Sequence, residues 1–289
     1  MKAAGGDGSA RDALGVALVA VAAAGWGTWT LFLYPVALPA ELVTLIVFAV
    51  MGLATLPFAL VEPKPDWDRR SAGLLLAYTV CDLLNTLCFF GALQYHNVTI
   101  AVLTHYAAPI IIALAAPFID GVTTRGARPA ALVALVGLGI VLEPWRAPTT
   151  GAVMAAVLGL ASAVCYAGTV FSVKRVAAAI GTSRAIAYHS GLGAVLLLPL
   201  ALPKLGAATL SGVGYLALGG VLLGTGANSL FIRGLARIGA ARTAVLTFVE
   251  PLVAVTIGAL VWGEHIGPLA AVGGALVVAA GVHVARQAR

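Results

Sequence analysis

Tyr78, Asp82 and Asn85 stand at i, i+4 and i+7 within a run of mostly apolar residues. On a helix that spacing puts a phenol, a carboxylate and a carboxamide on one face. Their chemistry is that of recognition. Asp82 accepts from an ammonium group, and Tyr78 and Asn85 donate to a carboxylate. Glu250 is a second acid in apolar surroundings, Asn228 a second amide, and His105 a donor or proton relay. Trp26, Tyr106 and Tyr166 supply rings to wall a pocket around an apolar side chain. The set suits a zwitterionic small molecule. It does not suit catalysis: Asp82 and Glu250 are single acids on separate stretches, no HExxH occurs, and Glu264-His265 stands isolated.

Plainer roles stand beside these. An intramembrane Asn often serves as interhelical glue worth about 0.6–2 kcal/mol, which fits Asn85 and Asn228 as well as lining does. Asp82 also reads as a protonated packing residue, and His105 as a hydrogen-bonded core histidine. Glu250, beside Pro251, also suits a backbone-satisfying role near a kink. Tyr188 and His189 lack a counterpart elsewhere in the chain and carry no assigned role.

These residues need long elements to hold them. Ten apolar stretches of about twenty residues lie near 13–34, 40–61, 71–95, 98–118, 129–145, 149–173, 182–203, 211–232, 239–262 and 267–285. Each is long enough to cross a ~30 Å hydrocarbon layer as a helix. A charge at a helix centre there costs about 2.5–3.5 kcal/mol, so Asp82 and Glu250 are expected to face the bundle interior. With the N-terminus in the cytoplasm, the inner segments carry 15 of the 17 Lys and Arg, and only Arg146 and Lys204 lie outside. That bias predicts ten spans with both termini cytoplasmic. Trp67, Trp145 and Trp262 fall at span ends and read as interfacial anchors.

The chain is 61% hydrophobic and 10% charged, far from an ordinary soluble domain. Its net charge of +6 is accounted for by the membrane asymmetry, so no nucleic-acid partner is expected. The first apolar run is long enough to be a retained span rather than a short signal segment. Cys81, Cys88 and Cys165 all lie inside spans, and neither disulfides nor metal sites are indicated. No phosphate-binding GxxxxGK[ST] occurs, the longest polar stretch is nine residues (62–70), and no cofactor is expected. The partners expected are the lipid bilayer and a small-molecule solute.

An internal duplication runs through the chain. Ala-Val-Leu-Thr occurs at 101–104 and again at 244–247, and the same 143-residue offset relates Asn85 to Asn228 and Gly91 to Gly234. Beyond the Thr the offset falls to 142, which relates Pro109 to Pro251. The predicted unit is five spans, 1–145 against 146–289. Five is odd, so the copies must cross in opposite directions. The predicted fold is therefore all-α and integral to the membrane, with ten transmembrane helices as two inverted five-helix repeats around a central cavity. Pro109 and Pro251, mid-span and repeat-matched, are the expected hinges.

Val249-Glu250-Pro251-Leu252 followed by Trp262-Gly263-Glu264, and a last span rich in glycine (Gly273, Gly274, Gly281), resemble the EamA-type exporters of the drug/metabolite transporter superfamily. Ala24-Gly25-Trp26-Gly27 and Pro109 fit that pattern in the first half, where Asp120-Gly121 replaces the Gly-Glu turn. The segments from Cys81 to Asn85 and from His105 to Pro109 look most like the aromatic amino-acid exporter branch. The resemblance implies export or facilitated passage of small metabolites, often amino acids, across a bacterial inner membrane. Threonine or homoserine, nucleotide sugars and drug-like metabolites are the alternative cargoes. An intramembrane enzyme and an inert structural bundle are remote alternatives.

Overall fold

In hydrocarbon every backbone N–H and C=O must be satisfied within the protein, so a chain this apolar folds as helices. The computed structural model describes residues 4–287 apart from 34, 37, 64, 66, 96–97, 148 and 264–266, with backbone alone for 4–9. Lys2, Lys64 and Arg289 of the charge pattern, and Glu264 and His265, lie outside the described residues.

Among the described residues nine helical paths are long and apolar enough to cross a membrane. They are α1 (Ala10–Leu33), α2 (Ala40–Val61), α3 (Arg69–Leu93), α4 (Val98–Ile119), α5 (Ala127–Arg146), α6 (Ala152–Ile180), α7 (Thr182–Ala207), α8 (Leu210–Ile238) and α9 (Ala240–Trp262). A shorter apolar helix, α10 (Ala270–Arg286), closes the chain. Two helices outrun their hydropathy. α6 continues past 173 to Ile180 and α8 past 232 to Ile238, so Lys174, Arg175, Arg233 and Arg237 stand on helices rather than loops. Hydropathy stops where charge begins, whereas the hydrogen-bond ladder does not.

The ends are tied down locally. Asp68 caps α3 by accepting from the Ser71 amide at 2.6 Å, and that contact holds its carboxyl below the usual carboxylate range. Glu62 at the end of α2 caps α7 from across the bundle, accepting from the Ser183 and Arg184 amides at 2.9 and 3.2 Å. Arg184 returns the contact by donating to the Glu62 carbonyl at 2.6 Å and to Pro63 O. Asp120 holds Lys174 at 3.0 Å and Arg175 at 2.8 Å, and Asp12 holds Arg242 at 3.2 Å. At the opposite end Glu41 meets Lys204 at 2.7 Å and Glu143 meets Arg146 at 2.9 Å. Each of these pairs joins segments that the charge pattern assigns to the same side.

Packing follows a regular scheme. α3 lies along α6, α1 along α8, α2 along α7, α5 along α10, and α4 against α9. α6 also touches α4, and α1 also touches α9. Glycines permit the closest approaches. A Cβ on Gly137 of α5 would lie 2.7 Å from the Gly273 carbonyl of α10, and one on Gly159 of α6 would lie 2.8 Å from the Ala101 carbonyl of α4.

α5 and α7 end in 3₁₀ turns, at Pro144–Arg146 and Leu202–Ala207, and four other helices are irregular within their lengths. α1 tightens to a 3₁₀ turn at Gly27–Trp29, and α8 widens to a π-helix over Gly220–Ala227. α4 stops at His105 and restarts at Ala108, just before Pro109. α9 stops at Leu246 and restarts at Val249, just before Pro251. Each proline lacks the N–H that would bond back into the preceding turn, so the ladder breaks one turn upstream.

Candidate functional site

The irregular stretches gather the polar residues. Tyr106 lies in the break of α4, His105 ends its first segment, and Glu250 opens the second segment of α9. Gly27, in the 3₁₀ turn of α1, meets the same place: a Cβ there would lie 2.5 Å from the Glu250 carbonyl. Asn228 follows directly on the π-helical stretch of α8. Broken helices and π-bulges recur at functional sites because they free backbone groups and re-aim side chains.

α3 is regular through Tyr78, Asp82 and Asn85, and all three are engaged on its inward face. Asp82 Oδ2 lies 2.7 Å from His189 Nε2 of α7. The His189 ring is fully buried, stacked on Tyr78 with centroids 4.0 Å apart and the planes 17° from parallel. Phe48 of α2 covers His189 at 5.2 Å, and Ser190 Oγ lies 3.2 Å from its Nδ1. Tyr78 is buried, and Asn228 lies within side-chain hydrogen-bonding reach of it.

One turn along α3, Asn85 joins a second group. Ser162 Oγ of α6 lies 2.8 Å from Asn85 Oδ1, 3.1 Å from the Asn85 carbonyl and 2.8 Å from His105 Nδ1. Ser162 has one proton to give. With it donated to Asn85 Oδ1, His105 donates from Nδ1 and keeps Nε2 as an acceptor. Rings surround His105: Phe89 at 4.6 Å, Tyr106 at 5.3 Å and Tyr166 at 5.6 Å.

Glu250 completes the arrangement. Tyr106 lies within side-chain hydrogen-bonding reach of it, and Tyr166 stands close enough to feel the charge of both Glu250 and Asp82. Phe248 backs Tyr106 at 5.5 Å. Trp26 of α1 leans on Phe231 at 4.8 Å and donates its indole N–H to the Leu223 carbonyl at 3.3 Å, inside the π-helical stretch. Asp82, Asn85, His105, Tyr166, Asn228, Glu250 and Trp26 are half-buried rather than sealed.

All nine residues named from the sequence thus fall on five helices, α1, α3, α4, α6 and α8, together with α9. Eight of them form two linked groups rather than one, and Trp26 packs apart from these on Phe231. Tyr78, Asp82 and Asn228 gather around His189, and Asn85, His105, Tyr106, Tyr166 and Glu250 gather around Ser162 and the broken helices. His189, Phe48 and Phe248 escape sequence reasoning. A signal for His189 existed: among residues 71–118 and 182–262, the stretches between the charged ends, the histidines are His96, His105 and His189. His189, like His105, sits well inside its span, where an ionisable group needs a partner.

The arrangement is one of broken helices meeting around a few polar anchors, as in small-solute transporters. The model of the EamA-like transporter family matches residues 13–142 and again 153–285. This chain belongs to the EamA-like transporter family. An uncharacterized transporter of Archaeoglobus fulgidus is 29% identical over 231 residues, covering 78% of this chain and 80% of that protein. A solved crystal structure shares the fold with a TM-score of 0.75 at 19% identity, covering 94% of this chain and 98% of the other. In this EamA-like transporter the two groups above lie where α1, α3, α4, α6, α8 and α9 converge.

Proposed function

We propose that this transporter moves amino acids, aromatic ones among them, outward across a bacterial inner membrane by alternating access. Its two inverted five-helix repeats, 1–145 and 146–289, enclose the site, and both termini are cytoplasmic. The packing scheme supports the repeat. Exchanging the halves turns α3·α6 into α8·α1 and α6·α4 into α1·α9, and leaves α2·α7, α4·α9 and α5·α10 unchanged. The two separate stretches that match the family model support the same division.

The observation that carries the cargo reading is the different state of the two acids. Asp82 is already paired with His189, while Glu250 faces phenols. No Lys or Arg stands between the charged ends of any span. A solute's ammonium is therefore met by Glu250, and its carboxylate by neutral donors such as Tyr166 and Asn228. Trp26 and Tyr166, with Tyr106 beside them, supply the ring surface that an aromatic side chain prefers.

The test is uptake and counterflow in proteoliposomes with labelled phenylalanine, tryptophan, threonine, glutamate and a nucleotide sugar. The expected order places aromatic amino acids first and glutamate last. Glu250→Gln is expected to lower their transport at least about tenfold, the loss of one charge-assisted contact. Transport of the nucleotide sugar with no amino acid moved would replace this reading.

A further inference from the structure

A separate hollow lies at the end of the bundle where the N- and C-terminal segments meet. Val122, Thr123, Thr124 and Arg125 of the α4–α5 loop, Arg242 of α9 and Gln287 beyond α10 line an open hollow of about 420 Å³. Arg242 Nη1 donates to Asp12 Oδ2 and Nη2 to the Gln287 carbonyl, both at 3.2 Å. Its Nε is buried and finds no acceptor among the described residues. Gln287 Oε1 is buried and finds no donor among them. A buried donor and a buried acceptor left unmatched beside one hollow are a demand for a ligand that carries both complements.

A second hollow begins one turn deeper. It holds about 200 Å³ and is lined by Val16 of α1, Val245 and Val249 of α9, and Val277, Val282 and Ala285 of α10. Val16 is one turn from Asp12, and Val245 one turn from Arg242. A polar hollow at the end of the bundle thus stands next to an apolar slot lined by valines. Asp12 offsets one of the two guanidinium groups, so Arg125, Arg242 and Asp12 together carry one net positive charge. That matches a phosphodiester, which carries one negative charge.

We propose that this end of the protein binds a phospholipid whose headgroup bears a single negative charge and a hydroxyl, as phosphatidylglycerol does. The phosphate sits on Arg125 and on Arg242 Nε, the headgroup hydroxyl donates to Gln287 Oε1, and an acyl chain occupies the valine slot. Basic pockets between transmembrane helices capture lipid phosphates by this combination of charge and depth. Free phosphate would satisfy the guanidinium groups but leave the slot empty.

The experiment is native mass spectrometry of the full-length protein released from nanodiscs of equal phosphatidylglycerol and phosphatidylcholine. Preferential retention of phosphatidylglycerol is expected. Arg125→Gln and Arg242→Gln should each lower that retention about fivefold. Asp12→Asn breaks the same ion pair as Arg242→Gln but keeps both cations, so it should retain the lipid or hold more. Equal loss in Asp12→Asn and Arg242→Gln would overturn the proposal, since the ion pair alone would then explain the effect. Equal retention of both lipids would also overturn it. So would Arg125-dependent thermal protection by inorganic phosphate in lipid-free detergent to which phosphatidylglycerol adds nothing.

Discussion

His189 Nε2 lies 2.7 Å from Asp82 Oδ2, which ties α7 to the face of α3 that carries Tyr78 and Asn85. The equivalent of Asp82 in the second half, 143 residues on, is Thr225, and it meets Thr55 of α2 hydroxyl to hydroxyl at 3.4 Å. One interface is therefore bound by a carboxylate and an imidazole, the other by two neutral groups. Replacing His189 by Phe keeps a ring on Tyr78 but strands the carboxylate. It is expected to cost on the order of 2 kcal/mol, the range for a hydrogen bond to a charged group. Thermal unfolding in detergent measures it. Asp82→Asn in the same background should recover part of the loss, because the stranded charge is gone.

The breaks in α4 and α9 make a kinetic prediction. Pro109→Ala and Pro251→Ala restore a backbone donor and let each helix close its ladder. Turnover should fall more than affinity, read as counterflow rate against equilibrium binding of labelled solute. Wild-type rates in both variants would remove the hinge role.

Gly159 tests how tightly α4 leans on α6. A Cβ at 159 would lie 2.0 Å from Thr104 Oγ1 as well as 2.8 Å from the Ala101 carbonyl, and the second neighbour is backbone that cannot rotate away. Gly159→Ala is expected to cost about 1–3 kcal/mol, the usual penalty of overpacking. Gly73, with nothing within 4 Å of its Cβ position, is the control and should tolerate Ala.

The inverted arrangement is testable without function. Single cysteines at Trp67 and Leu205, in a background lacking Cys81, Cys88 and Cys165, should react with impermeant maleimide from opposite faces of sealed vesicles. Labelling of both from the same face would contradict the ten-span layout.

The helices are legible in the sequence because hydrophobic length and charge placement act over twenty residues at a time. The breaks beside Pro109 and Pro251 were legible from one residue each. The face of α3 was legible from spacing. The partners across that face were not, because nothing in local spacing says that α7 lies opposite or that His189 reaches Asp82. The same holds for Ser162 on α6, whose contacts with Asn85 and His105 depend on how α6 crosses α3 and α4. The ends of α6 and α8 are not legible, because Lys174, Arg175, Arg233 and Arg237 end an apolar run without ending a helix.

The widened coil over Gly220–Ala227 gives α8 slack. A π-helical stretch holds an extra residue in the height that an α-helix would span. Deleting one residue there can be absorbed by a return to ordinary winding, with Asn228 still beside Tyr78. The same deletion anywhere in 229–238 has no such reserve and swings every residue beyond it by about 100°. A deletion at 229–232 would thus turn Arg233 and Arg237 away from their exposed positions. A one-residue deletion in this helix is thus expected to be tolerated only within 220–227, upstream of Asn228.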